Sequence, residues 1–247
     1  MVQPHIQLDE TLNIKYAILP GDPARVGRIA QQLENVEELK FNREYRSLRG
    51  TYKGVPVLAM STGMGGPSTA IGVEELNNIG VRCAIRIGSC GALQEGIGLG
   101  DLIITSGAVR DDGTSAAYVP KQYPAVADPE LLAACVRSAR EKGVRYHVGI
   151  ARSHDALYLE PEYDVSQEMS KRGVLGADME TATLLTLAAI RGMKAASILN
   201  NVVIWGSDTA ESIGSYADGA SLTAQGEKDE ITVALEAFVR MEKGETL

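Results

Sequence analysis

Three features of the sequence predict an α/β fold. Short aliphatic runs, such as residues 81–85, 102–105 and 195–204, read as buried strands. Between them lie segments with apolar residues at helical spacing, opened by Asp-Pro or Gly-Pro and closed by glycine. The two kinds of segment alternate along the chain, the pattern of a domain whose helices cover a sheet. No internal repeat or interdomain linker interrupts the 247 residues, and 45% hydrophobic content can bury a full core, so a single domain over residues 1–247 is expected.

The first strand is expected at Tyr16–Pro20, closed by Gly21-Asp22-Pro23. Asp22 suits an N-cap and Pro23 the first helical position, after which Val26, Ile29, Ala30 and Leu33 share one face. Arg25 then falls in the first helical turn, near the electropositive helix end, an arrangement that favours an anion between them. A polar stretch, 42–46, leads to a strand or hairpin through Gly50-Thr51-Tyr52-Lys53-Gly54 and on to the strand 55–60. Gly63-Met64-Gly65-Gly66-Pro67-Ser68 turns the chain into a helix that reaches Asn78, with Gly80 at its end. This turn is not a dinucleotide fingerprint: Ser68 takes the third glycine position, and no acidic residue closes a following strand at the required spacing.

The next strand ends in Arg86-Ile87-Gly88-Ser89-Cys90-Gly91. Alternation puts Ala84, Arg86 and Gly88 on one face and Ile85, Ile87 and Ser89 on the other. A guanidinium fork beside glycine amides suits a tetrahedral oxyanion. A plain ion pair between Arg86 and a nearby carboxylate explains the hexapeptide alone equally well.

Gly100-Asp101 introduces the strand 102–105, and Arg110-Asp111-Asp112-Gly113 begins a loop to Asp128 that is longer than a connector, which points to a functional or interface role. Asp128-Pro129 caps a helix with Leu132, Cys135, Val136 and Ala139 inward and Gly143 as its stop. Residues 147–153 read as a strand and 158–163 as a polar, proline-containing loop. An apolar helix opens within Gly176-Ala177-Asp178-Met179-Glu180-Thr181 and runs to Gly192. Its dipole partly explains Asp178. Glu180, read as one turn into a buried helix, needs a ligand hydroxyl or a fixed partner, because an unpaired carboxylate there is costly. A strand at 195–204, a Gly/Ser-rich flexible segment at 205–221 and an amphipathic helix at 228–242 complete the chain.

Charge and composition narrow the function. With 24 Lys+Arg against 32 Asp+Glu, the net charge of -8 argues against nucleic acid or an anionic membrane as the main partner. Three cysteines without CxxC spacing and three histidines form no zinc pattern, and a reducing compartment is expected. The first ten residues lack a signal-peptide pattern and no apolar run approaches the roughly 20 residues of a membrane span, so a soluble cytoplasmic protein is expected.

Six motifs in order, Gly21-Asp22-Pro23-x-Arg25, Arg43-Glu44-Tyr45, Gly63 to Ser68, Arg86 to Gly91, Tyr123-Pro124-Ala125-Val126-Ala127-Asp128 and Asp178-Met179-Glu180, resemble the nucleoside phosphorylase family, nearest in look to its uridine phosphorylases. The resemblance implies a three-layer sandwich with a central mixed β-sheet flanked by helices. It implies phosphorolysis, in which inorganic phosphate attacks the sugar C1′, the nucleobase leaves and a (deoxy)ribose 1-phosphate forms. It assigns phosphate to Gly21, Arg25, Arg86 and Ser89, with Arg43 lent by a neighbouring subunit. Arg86 and Glu180 become the catalytic pair. The nucleoside falls to Ser89, Leu157, Asp178, Met179 and Glu180, with His5 reaching a neighbour's 5′-hydroxyl. The family pattern further implies homodimer units joined in a homohexamer and no cofactor beyond phosphate as cosubstrate. It allows a monovalent cation near Glu44 and Ser68.

The base-recognition residues depart from that pattern. Uridine phosphorylases use a glutamine and an arginine after a Ser-x-Asp turn; here Ser153-His154-Asp155 leads into a loop one residue shorter, with Leu157 at an aromatic position and Glu160 and Glu162 where an amide and a cation are expected. A second arginine, after the last strand, is missing, and Trp205 stands near its place. The aspartate that purine phosphorylases use is replaced by Val202-Val203, with Asp208 beyond. The alternatives are a purine nucleoside phosphorylase, a nucleosidase of the same fold, and a non-catalytic nucleoside-binding homologue. The arginine trio disfavours the nucleosidase, since water as nucleophile needs no such cluster.

Overall fold

Tyr16–Pro20 forms β1, buried along its whole length, and the turn after it starts α1 (Pro23–Ala30) with Asp22 as N-cap, its carboxylate accepting from the Ala24 amide at 2.8 Å. Here and below a computed structural model describes residues 1–159, 162–207 and 221–245, apart from the Glu162 side chain. The chain continues through β2 (Glu34–Asn42), β3 (Tyr45–Tyr52), β4 (Val55–Met60), α2 (Gly66–Asn78), β5 (Cys83–Ala92) and β6 (Leu102–Asp111). Then follow α3 (Gly113–Tyr118), β7 (Ala125–Val126), α4 (Pro129–Lys142), β8 (Tyr146–His154), α5 (Glu162–Lys171), β9 (Gly176–Asp178), α6 (Thr181–Ile190), β10 (Lys194–Val203) and α7 (Ser221–Lys243).

The ten described strands make one mixed sheet. β1 pairs in parallel with β4 and β5, and β5 in parallel with β10; the β2–β3–β4 meander extends one side antiparallel. One face carries Tyr16, Ile18, Ile85 and Ile87 against α1, α4 and α7, where Phe238 is wholly buried. The other carries Ala17, Leu19 and Ala84 against α2 and α6. The result is the expected three-layer α/β sandwich, and the alternation read along β5 holds.

At β5 the sheet divides. Its edge pairs with β1 as far as Ile87, opposite Pro20, and only from Gly91 does the antiparallel β9 take over. Among the described residues, no strand pairs with Gly88, Ser89 and Cys90 on that edge, while their other edge stays paired with β10. Helix α7 reaches this gap because Gly226 and Gly100 let its backbone lie close to the start of β6: a Cβ at Gly226 would stand 2.7 Å from Gly100 Cα. Asn200 Nδ2 donates to Thr223 O at 2.8 Å and fixes the same turn.

Several elements differ from the sequence reading. Strand β2 was not anticipated, because as an exposed edge strand it shows no apolar alternation. The stretch 110–128 is not one loop: β6 continues to Asp111, Asp112 caps α3, and β7 pairs back on β6. In α4 the fully buried apolar positions are Leu131, Ala134, Cys135 and Ala139, whereas Leu132 and Val136 are half-buried. Helix α5, which the sequence reading lacks, begins at Glu162 inside the loop expected at 158–163, and α7 begins at Ser221, ahead of the expected Lys228. Of the flexible segment expected at 205–221, residues 208–220 lie outside the described residues, as do Glu160 and Asp208. No helix among the described residues is long and apolar enough to cross a membrane.

Candidate active site

The carboxyl ends of β1, β4, β5 and β10 open into a cavity of about 1450 Å³, where an α/β sheet with divided topology offers a ligand site. The volume exceeds the roughly 300–1,000 Å³ of a single small-molecule site, so two ligands fit side by side. Gly21, Arg25, Arg86, Ser89, Leu157, Asp178, Met179 and Glu180 all line it. His5 and Arg43 do not.

Arg86 is 4% exposed and every direction of its fork is defined. Nε donates to Asp178 Oδ2 at 3.0 Å and Nη2 to Glu180 Oε2 at 2.5 Å. Nη1 is buried with no hydrogen-bond partner among the described residues, and it lies on the Gly21 side, 3.9 Å from where a Gly21 Cβ would be. The guanidinium folds back over Gly88, two residues along the same face; a Cβ there would overlap Nη2 and stand 2.6 Å from Cζ. Two carboxylates outweigh burial and hold Arg86 above the ordinary arginine range, so it stays a cation. Gly88→Ala is expected to push the guanidinium out of place and destabilise the protein by about 1–3 kcal/mol, read as a lower melting temperature.

The two carboxylates differ in what else they do. Asp178 accepts from Ser153 Oγ at 2.5 Å and from the amide and hydroxyl of Thr181 at 3.0 and 2.6 Å, and its side chain is fully buried. These bonds tie β8, β9 and α6 to Arg86, and direct the Asp178 carboxylate at the protein rather than at the cavity. Glu180 is not one turn inside a helix, as the sequence suggested. It is the N-cap residue of α6, because Asp178 accepts from the Thr181 amide and the helix starts there. Its Oε1 accepts from the Gly65 amide at 2.6 Å, which joins the starts of α2 and α6. Burial pushes the Glu180 carboxyl up, with Arg86 opposing.

Arg25, 3% exposed, donates from Nη1 to Ile87 O at 3.2 Å and from Nε to Glu227 Oε2 at 3.0 Å. Glu230 Oε1 lies 3.3 Å from its Nη1. The Gly88 amide also faces Glu230, so an arginine and a carboxyl occupy the unpaired edge of β5. Glu227 and Glu230 were missed in the sequence. The signal was an acid at Glu230 on the same face as Ala234 and Phe238, the apolar stripe of α7.

At the far end of the cavity the rings of Tyr163 and Trp205 are stacked, 6.5 Å between centroids and 10° between planes. His154 and Ser166 line the same end, and Leu157 borders it. His5 is held elsewhere: Glu75 accepts from its backbone amide at 3.0 Å and lies 2.6 Å from its Nδ1. Arg43, exposed with φ 54°, sits in the turn between β2 and β3. Beside it Glu44 approaches Gly63, where a Cβ would be 2.7 Å from Glu44 Cγ and 3.1 Å from Ser68 Oγ.

A buried cation with one unfilled donor, two carboxylates at helix starts and an aromatic end wall are the parts of a site for an anion and a ring-bearing substrate. The sequence model of the phosphorylase superfamily matches residues 15–225, and the chain belongs to this family as a nucleoside phosphorylase enzyme of the purine nucleoside and uridine type. It is 45% identical to the uridine phosphorylase of Thermococcus kodakarensis over 209 residues, which cover 80% of this chain and 76% of that one. The fold superposes on a crystal structure of uridine phosphorylase from Vibrio fischeri ES114 with a TM-score of 0.90, 43% identity, and 96% and 97% of the two chains covered. A purine nucleoside phosphorylase from Toxoplasma gondii, in complex with immucillin-H, matches with a TM-score of 0.89 and 32% identity over 98% and 97%.

Proposed function

We propose that the cavity carries out phosphorolysis of uridine or a close pyrimidine nucleoside, giving free base and (deoxy)ribose 1-phosphate. The observation that carries this reading is Arg86 Nη1, a buried donor with no acceptor among the described residues, aimed at the Gly21 turn. Leaving such a donor unsatisfied is costly, and a phosphate oxygen repays it. Arg86, Arg25, Gly21 and Ser89 hold the phosphate. One of its oxygens attacks C1′, the C1′–N bond breaks with its electron pair moving to the base, and C1′ passes through an oxocarbenium-like state. The base takes up one proton from solvent, balancing the one the hydrogen phosphate releases as it becomes the ester. Glu180 orients the ribose hydroxyls and its negative charge favours the developing cation, while Met179 packs on the sugar. Asp178 acts through Arg86 as a positioning residue. Leu157, Tyr163 and Trp205 form the apolar boundary for the base.

Arg43 and His5 belong to a neighbour's site in this reading, which requires self-association. Their surface position supports it, as do the exposed apolar Phe41 and Met64, at 66% and 86% exposure beside the Arg43 turn and on the cavity rim. Homodimer units joined into a homohexamer meet the requirement. Glu44 and Ser68 supply one carboxylate and one hydroxyl per chain, and two copies brought together would fit a monovalent cation. The three cysteines are free and buried, which fits a reducing, cytoplasmic location.

A phosphate-dependent assay over uridine, thymidine, inosine and guanosine, with free base and sugar 1-phosphate both quantified, tests the reading. Uridine should turn over fastest, and only with phosphate. The reverse order, inosine or guanosine first, transfers the assignment to purine nucleosides, a reading favoured by Trp205 standing where an arginine is expected and by the Toxoplasma gondii match. Binding without turnover would leave a nucleoside-binding protein.

A further inference from the structure

Among the described residues three arginines line the cavity around Gly21, namely Arg25, Arg28 and Arg86, and five carboxylates stand against them: Asp22, Asp178, Glu180, Glu227 and Glu230. With all of them ionised, this wall is net negative before a phosphate dianion arrives. Binding an anion there is favoured if one carboxylate is neutralised. Asp178, Glu180 and Glu227 each accept hydrogen bonds from an arginine, and Asp22 is exposed. Glu230 differs: it is 0% exposed and, among the described residues, accepts no hydrogen bond from an arginine; Arg25 Nη1 at 3.3 Å is its ion-pair contact and the Gly88 amide faces it.

On the reading of this cavity as a phosphate site, we propose that Glu230 is its proton-exchanging positioning residue: the carboxylate takes one proton from solvent when phosphate binds, so that Arg25 and Arg86 direct their charge at the anion. The groups that face Glu230 are Arg25 on α1, Arg86, the Gly88 amide and Cys90 on β5, and Glu227 one turn away on α7. Burial already pushes the Glu230 carboxyl up to about 8, with Arg25 pulling it down and Glu227 pushing it further up. A bound anion adds to the upward push, so the protonated form dominates in the complex while the ionised form persists in the unliganded protein above that pH.

Calorimetric titration with inorganic phosphate at pH 8.5–9, in two buffers of different ionisation enthalpy, counts the protons taken up. The wild-type protein should absorb close to one proton more per phosphate than Glu230→Gln, the isostere of the protonated acid. Its KM for phosphate should rise at least about fivefold more between pH 7 and 9 than that of the variant. A group whose folded pKa is raised stabilises the fold at low pH and loses that contribution as pH rises through the folded value. The variant should therefore melt with the wild type near pH 5 and about 5 °C or more above it at pH 9, whereas a purely structural effect would shift all pH values alike. Should Glu230→Gln not fold, Glu230→Met removes the same charge at similar volume. Equal proton counts and parallel KM profiles would overturn the proposal while leaving the phosphate site intact. Absence of phosphate binding in the wild type would overturn the phosphate site itself.

Discussion

Arg86→Ala is expected to lower kcat/KM for phosphate by about 10³-fold, equivalent to about 4 kcal/mol of transition-state stabilisation. Two losses combine. The unfilled Nη1 donor at the Gly21 turn disappears, and so does the link that sets Asp178 and Glu180 relative to the cavity. The second loss also reaches stability, because both carboxylates are buried and would be left without their cation. Breaking such a pair from one side destabilises by about 3–5 kcal/mol, which for a chain of this size lowers the melting temperature by about 10 °C. Arg86→Lys separates the effects. Its ammonium retains the charge that the carboxylates need but cannot supply the fork, so melting should recover much of the difference while phosphorolysis remains at least about tenfold impaired. Initial rates against phosphate concentration, with a thermal melt of each variant, decide the matter; Arg86→Ala activity within tenfold of wild type would remove Arg86 from the phosphate site.

Glu180→Gln should reduce kcat by about 10²–10³-fold at saturating phosphate, with a smaller change in KM for phosphate. The amide can still accept from Gly65, but its NH₂ then meets Arg86 Nη2, donor against donor. More important is the charge: a neutral side chain no longer favours positive charge developing on the sugar, and removing one oriented electrostatic contact of this kind is worth about 3 kcal/mol. The effect belongs to kcat because the charge at C1′ exists only in the transition state. A variant that lost only nucleoside affinity, with kcat retained, would show that Glu180 binds the sugar without stabilising that state.

Much of this is legible in the sequence alone. The face of β5 carrying Arg86 and Gly88 followed from alternation alone, and Asp22-Pro23 and Asp128-Pro129 marked two helix starts by their capping chemistry. Other features depend on packing that no local pattern expresses. Strand β2 is exposed along both faces and has no period to detect. Glu180 looked like an interior helical residue because the apolar run after it is continuous; the true start is set by Asp178 accepting from Thr181. Glu230 shares the apolar stripe of α7 with Ala234 and Phe238, which marks it as buried, but only the arrival of Arg25 from 205 residues earlier in the chain makes it part of a site.

The gap in β5 has a consequence for evolution. Where a neighbouring strand would normally complete the ladder, Arg25 takes Ile87 O and Glu230 faces the Gly88 amide, so side chains from two helices replace the missing backbone. The groups nearest the proposed anion are thereby also structural parts of the sheet. A lineage that lost the activity would gain no freedom to discard them, since apolar replacements would leave Ile87 O without its donor. Charged residues of this site are therefore expected to outlive the reaction, and their persistence in a relative is weak evidence that the relative still catalyses anything.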